Sequence, residues 1–352
     1  MEEERMDAME ACACQDSPVS EEELQAQRYA NLRHQANIQG GALMIYKLIL
    51  NVAVFACIFA ATLVQVMTQV VSGAFGAASD LQNTVDQVTA IAMDSMGWGY
   101  LLAVAIGWLA LRLWKKNDFF RQRIYQRGRP MTIGSFLALV CIVFGIQIPA
   151  QLWSMGLEWV CNRFGLSMVE VLESNAMDMD NLSIWLYVCL AAPISEEILF
   201  RGLILRSVED YGKRFAILVS AVLFGLYHGS PIQTPYAILV GLVLGYVAVE
   251  YHVIWAMVLH MMNNLLLSDT LPRLLEGLPY QTGETIMWIF LGICALIGLI
   301  IAILRWRDVR AWKKQETIES WQRKAFWRSP CIIILTVWCL IDLSMYFLLL
   351  FL

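Results

Sequence analysis

Residues 184–204 read IWLYVCLAAPISEEILFRGLI, an apolar run long enough to cross a bilayer with two glutamates and an arginine in its second half. About 20 apolar residues span the hydrocarbon core, and an ionised side chain there costs ~2.5–3.5 kcal/mol on insertion scales. A chain that keeps Glu196, Glu197 and Arg201 in such a place has a use for them. Glu196 lies about twelve residues into the run, or ~18 Å along a helix, near the bilayer middle. Glu197 and Arg201 are four apart, so a helix sets them on one face, where they pair. Glu196 is turned about 100° away from that pair and is left to act as a general base.

The rest of the sequence has the same membrane character. Of 352 residues, 59% are hydrophobic and 16% charged, against about 45–50% and 25% in soluble domains. The charges fall in short blocks between long apolar runs. This predicts an all-α polytopic membrane helix bundle of about nine spans, near 43–71, 98–114, 132–152, 184–205, 215–229, 236–250, 253–268, 285–304 and 331–352. The fourth to seventh would carry the chemistry. The corresponding units are a cytoplasmic tail (1–42), N-terminal membrane helices (43–183), a core (184–268) and C-terminal membrane helices with a basic interfacial segment (269–352).

Lysine and arginine fix the orientation. Residues 112–129 and 305–328 are rich in both, whereas 72–97 has neither and 153–183 has Arg163 alone among five acidic residues. Nine spans then place the N-terminus in the cytoplasm and the C-terminus outside; the membrane expected is a bacterial plasma membrane, with an internal eukaryotic membrane as the alternative. The lipid bilayer is the first partner. A net charge of −5, with basic blocks only beside spans, excludes a nucleic-acid binder. The acidic start, MEEERMDAMEA, is expected to be neither a signal peptide nor a lipoprotein leader. Ser20 and Glu23 have capping-box spacing and predict an exposed cytoplasmic helix over 20–38. Trp306, Trp312, Trp321 and Trp327, interleaved with basic residues, suit a helix in the headgroup region. The nine cysteines contain no CxxC pair; six lie in apolar runs, where a lone Cys acts as a small hydrophobe.

Two later runs carry the remaining polar groups. FAILVSAVLFGLYHGS (215–230) places Phe224 and His228 at i, i+4, and HVIWAMVLHMMNNLLL (252–267) places His260 and Asn264 at the same spacing, with Asn263 at i+3. Three nearby helices thus present two acids, an arginine, two imidazoles and an amide. A buried hydrolytic site needs such a set: a base for water, a second proton acceptor, and donors for an oxyanion. Glu196, His228 and His260 are also residue types that bind zinc, so a metal site is compatible with the same side chains. His252 and His34 read as structural or solvated. Pro193, Gly225, Gly229, Pro231 and Pro235 loosen the helices beside the site and favour a cavity. Straight spans would leave His228 near the outer end of its helix and His260 ~10 Å from the inner end, so the groups meet only if the helices tilt.

The ordered motifs Glu196-Glu197-Ile-Leu-Phe-Arg201, Phe224-Gly-Leu-Tyr-His228 and His260-Met-Met-Asn-Asn264 resemble the EExxxR, FxxxH and HxxxN signatures of the CPBP intramembrane proteases. That family comprises CAAX prenyl endopeptidases and bacteriocin-processing and immunity proteins, and the resemblance covers about 184–268. It implies hydrolysis of a peptide bond within or at the edge of the membrane, in a membrane-anchored or peptide substrate. On that basis Glu196 and His228 activate water, His260 and Asn264 polarise the scissile carbonyl, and Glu197, Arg201 and Phe224 support them. The family is described both as zinc-dependent and as glutamate-type, and the residues fit either. Two rival readings share these residues: a non-catalytic immunity or scaffold protein, and a proton-coupled transporter.

Overall fold

Helix α1 (Glu21–Val71) starts at the cap read from the sequence. The Glu23 amide donates to Ser20 Oγ (3.2 Å) and the Ser20 amide to Glu23 Oε2 (3.0 Å). It does not stop near residue 38. No proline interrupts it, and Gly40 sits where an added Cβ would press on Cys331 and Ile332 at 3.0–3.1 Å, so the helix runs on through the first span for 51 residues, about 77 Å. Leu32, Ala36 and Gln39 are buried against the bundle. The expected exposed helix is thus exposed over 20–31 apart from the half-buried Tyr29, while from Leu32 onward it is the packed foot of the first span, fixed by Gln39 Nε2 donating to Ser207 Oγ (2.8 Å).

This computed structural model describes residues 20–71, 81–115, 119–120, 124–126, 128–174, 176–315 and 317–351. Cys12 and Cys14 lie outside them. Among the described residues the regular elements are all helical. After α1 come α2 (Leu81–Trp114), α3 (Ile133–Gly145), α4 (Gln147–Asn162) and the short α5 (Met168–Ser174). Helix α6 covers 182–208, and α7 (Lys213–Tyr227), α8 (Gln233–Glu250) and α9 (Val253–Leu265) complete the core. Then follow α10 (Tyr280–Leu304), the amphipathic α11 (Trp306–Gln315) and α12 (Ser320–Trp327), and α13 (Pro330–Leu349).

Among the described residues, six stretches are long and apolar enough to cross a membrane: α1, Val85–Trp114 of α2, the α3–α4 unit Ile133–Asn162, α8, α10 and α13. The other three expected spans are helical but of another kind. Helix α6 carries the charged motif, while α7 and α9 are only 15 and 13 residues long. They are enclosed by neighbouring helices, which is how polar or irregular helices survive at membrane depth. The chain is a polytopic helical bundle and an integral membrane protein.

Two apolar clusters hold the bundle. One gathers Leu43, Phe200, Leu203, Phe224, Phe326 and Leu335 from α1, α6, α7, α12 and α13. The other gathers Val143, Phe144, Leu244, Leu259 and Leu291 from α3, α8, α9 and α10. Helix α8 joins both, through Ala237 and Val249 in the first and Val240 and Leu244 in the second.

The ends of the bundle differ in charge. At one end Arg28 lies over the Trp321 ring (5.4 Å), Arg214 donates to the Lys313 carbonyl (3.4 Å) and Arg129 sits 3.9 Å from Glu250. The described residues of the links around Arg129, Arg214 and Lys313 therefore meet there. At the other end Asn181 donates to Asp94 (3.0 Å), and Arg273 bridges Asp180 (2.7 Å) and Asp269 (2.6 Å). That Arg273 hydrogen bond holds the Asp269 carboxyl below the usual carboxylate range, although its burial acts the other way.

Candidate active site

Helix α6 is not a plain α-helix. Tyr187–Ala191 and Glu197–Leu205 are wound as π-turns, on either side of Ala192–Glu196. Pro193 has no amide to offer the carbonyl four residues back, and the turn before it is widened. Such bulges are frequent at functional sites. Glu197–Leu205 is buried throughout.

Glu197 and Arg201 form the expected pair, 2.8 Å apart with both side chains fully buried. Arg201 Nη2 also donates to the Gly241 carbonyl of α8 (3.3 Å), and the guanidinium lies 4.3 Å from the Phe224 ring centre. The pair has a further partner that spacing did not reveal. His260 Nδ1 is 3.0 Å from the same Glu197 oxygen that binds Arg201. A carboxylate only accepts, so Nδ1 carries the proton in this bond. Glu197 thus ties α6 to α9 and orients the His260 ring.

Glu196 faces the other way, as expected. Its Oε2 is 3.8 Å from His260 Nε2, too long for a hydrogen bond and suited to a bridging water. The side chain is 18% exposed, against 0% for Glu197. That difference separates a group reachable by solvent from one that holds the frame.

His228 is the C-cap of α7, and Gly229 at φ +62° ends the helix directly after it, a left-handed conformation glycine adopts without a Cβ penalty. His228 Nδ1 is 2.8 Å from the Phe224 carbonyl. A carbonyl only accepts, so in the neutral ring Nδ1 holds the proton and Nε2 keeps a lone pair. The Phe224 ring packs edge-on against both imidazoles, at 4.8 Å from His228 and 5.7 Å from His260. It fixes where the two histidines stand.

Asn264 Nδ2 donates to the Val188 carbonyl of α6 (2.9 Å), leaving its second N–H for a ligand. Asn263 Nδ2 donates to Asn264 Oδ1 (3.2 Å), and Tyr236 of α8 donates to Asn263 Oδ1 (2.7 Å). Tyr236 and Asn263 are the parts that motif reading missed as site residues. The position of Asn263, three residues after His260, was the available signal; nothing local marked Tyr236.

All four principal residues, Glu196, His228, His260 and Asn264, line one cavity of about 340 Å³, together with Phe224, Asn263 and Tyr236. The depth mismatch of straight spans is absent. At the rim stand the exposed side chains Gln151, Gln233 and Ser268. Trp153 Nε1 donates to the Pro231 carbonyl (2.9 Å) and ties α4 to the turn before α8. Among the described residues no three His, Cys, Asp or Glu side chains converge so as to hold a metal ion. Glu196, His228 and His260, compatible with zinc by residue type, line one cavity but are not gathered as a three-ligand set. His252 is structural, as expected. It caps α9 by accepting from the Ile254 amide at Nδ1 (3.1 Å), while Nε2 reaches the Tyr125 carbonyl (3.2 Å).

Residues 178–266 match the family model described as Type II CAAX prenyl endopeptidase Rce1-like, in agreement with the resemblance carried by the three motifs. The matched region contains Glu196, His228, His260 and Asn264 and spans about a quarter of the chain. Neither the curated proteins nor the solved structures contain a match.

Proposed function

We propose that this protein is an intramembrane endopeptidase of the CAAX-protease type, in which Glu196 activates water without a metal. The observation that supports this most directly is the division of the two adjacent glutamates. Glu197 is buried in a bond to Arg201 and His260, while Glu196 opens into a polar cavity beside two imidazoles.

In this reading a water held between Glu196 and the imidazoles loses a proton to Glu196 as its oxygen attacks the scissile carbonyl carbon. The lone pair on His228 Nε2 is the second proton acceptor. The second N–H of Asn264 donates to the developing oxyanion; His260 joins it from Nε2 only as an imidazolium, because its Nδ1–H is committed to Glu197. The tetrahedral species collapses with cleavage of the C–N bond. The proton taken from water passes to the departing amine, and a carboxylic acid remains on the other product. Glu197, Arg201 and Phe224 are positioning residues: Glu197 and Phe224 touch the histidines and Arg201 holds Glu197, rather than meeting the reacting atoms.

Glu196→Gln keeps shape and hydrogen bonding but removes the base, and should lower turnover by about 10²–10⁴-fold. The test compares N- and C-terminal peptides of membrane and secreted proteins from cells carrying wild type or Glu196→Gln at equal expression. Termini that depend on Glu196 would identify a protease. Unchanged termini together with a retained wild-type phenotype would favour a scaffold, immunity or transport role.

A further inference from the structure

We infer that the cavity takes its substrate from the non-cytoplasmic side of the membrane, so that the cleaved class is peptides or protein segments exposed on that side. Prenyl-anchored tails on the cytoplasmic leaflet would then not be its substrates. The substrate class rests on the proteolytic reading; the sidedness rests on geometry and charge.

The mouth lies toward the acidic end. Ser268 is followed at once by Asp269, which Arg273 links to Asp180. Gln151 is on the stretch of α4 that leads to Asn162 and the acidic loop beyond. Gln233 opens α8 after the turn whose Pro231 carbonyl is held by Trp153 of α4. These three rim residues are exposed, whereas Phe224, Ala237 and Val240 at the inner wall are buried.

Toward the basic end the cavity is closed. Below Glu196 the whole turn Glu197–Leu205 is buried, and Arg201 seals it to α8 through the Gly241 carbonyl. One turn further, Arg206 Nη2 donates to the Ala248 carbonyl (2.7 Å) and makes a second crosslink between the same helices. A substrate coming from that end would have to part α6 from α8.

Arg129, Lys213, Arg214 and Lys313 stand at the basic end, in or beside links rich in arginine and lysine, and short links of this kind stay in the cytoplasm. The opposite end has Arg163 and Arg273 among Asp94, Glu158, Asp178, Asp180 and Glu284. Charge therefore sets the plugged end inside and the open end outside.

The test places single cysteines at the rim (Ser268→Cys or Gln233→Cys) and at the basic end (Lys313→Cys). A membrane-impermeant maleimide is applied to intact and to permeabilised cells, with the unmodified protein as background. Rim cysteines should take up label in intact cells, and Lys313→Cys only after permeabilisation. The reverse pattern overturns the inference whether or not the protein is a protease. The termini comparison with Glu196→Gln then tests the substrate class. Glu196-dependent termini in extracytoplasmic segments support it, and such termini confined to cytosolic tails overturn it while leaving the protease intact. Outward labelling without any Glu196-dependent terminus overturns the substrate class together with the proteolytic reading.

Discussion

Glu196 and Glu197 are chemically identical neighbours with different work, and the difference is set by what each side chain meets. Glu197 accepts from Arg201 and His260 with no exposure, while Glu196 reaches the cavity. Removing one partner from a buried ion pair leaves an uncompensated charge, which costs about 3–5 kcal/mol. Arg201→Met should lower stability on that scale, read as a depressed thermal unfolding midpoint in detergent micelles. The donor set leads to a second expectation at this scale. Because no three ligands converge among the described residues, turnover should survive treatment with a chelator. Loss of activity that returns on adding zinc would overturn the metal-free mechanism.

At the scale of the helix, packing of α7 against α8 decides where His228 stands. A Cβ on Gly225 would lie 2.3 Å from Ile238 Cγ1 and 2.7 Å from the Thr234 carbonyl oxygen. The side chain can move but the backbone cannot, so the helices must separate. Overpacking of this kind costs about 1–3 kcal/mol. Gly225→Val should therefore destabilise the protein by about that much and displace Phe224 and His228, lowering cleavage in the fraction that still folds. Unfolding midpoints and turnover per folded molecule measure the two effects separately. Gly225→Ala, with the smaller side chain, should show a weaker form of both.

Across the whole molecule, the first and last spans brace the core although neither lies in the matched region. Lys47 of α1 pairs with Asp342 of α13 at 2.8 Å, donates to the Tyr227 carbonyl at 3.3 Å and lies 4.6 Å from the Tyr227 ring centre. Tyr227 is the residue before His228, so two outer helices hold the end of the helix that delivers this imidazole. Asp342→Ala leaves Lys47 largely buried without its counter-ion and should destabilise the protein by roughly 1–3 kcal/mol, less than a fully buried pair because Asp342 is partly exposed. The paired replacement Lys47→Met with Asp342→Leu should recover much of that loss, since two apolar side chains leave no buried charge. Thermal unfolding of the single and double variants checks both statements.

By itself the sequence determined the helical membrane class, the pairing of Glu197 with Arg201 and the identity of the principal polar groups. Composition, run length and i, i+4 spacing are local properties, and each acts within one helix. Charge asymmetry between the links likewise needs only the order of residues along the chain. The tertiary structure decided what depends on several helices at once. It bound His260 to Glu197, recruited Tyr236 through Asn263 and packed the stretch from Leu32 to Gln39 of α1 against the bundle. It also decided which end of the site is open. Those outcomes follow from side chains on different helices competing for the same space and the same hydrogen-bond partners, and helix periodicity does not encode that competition.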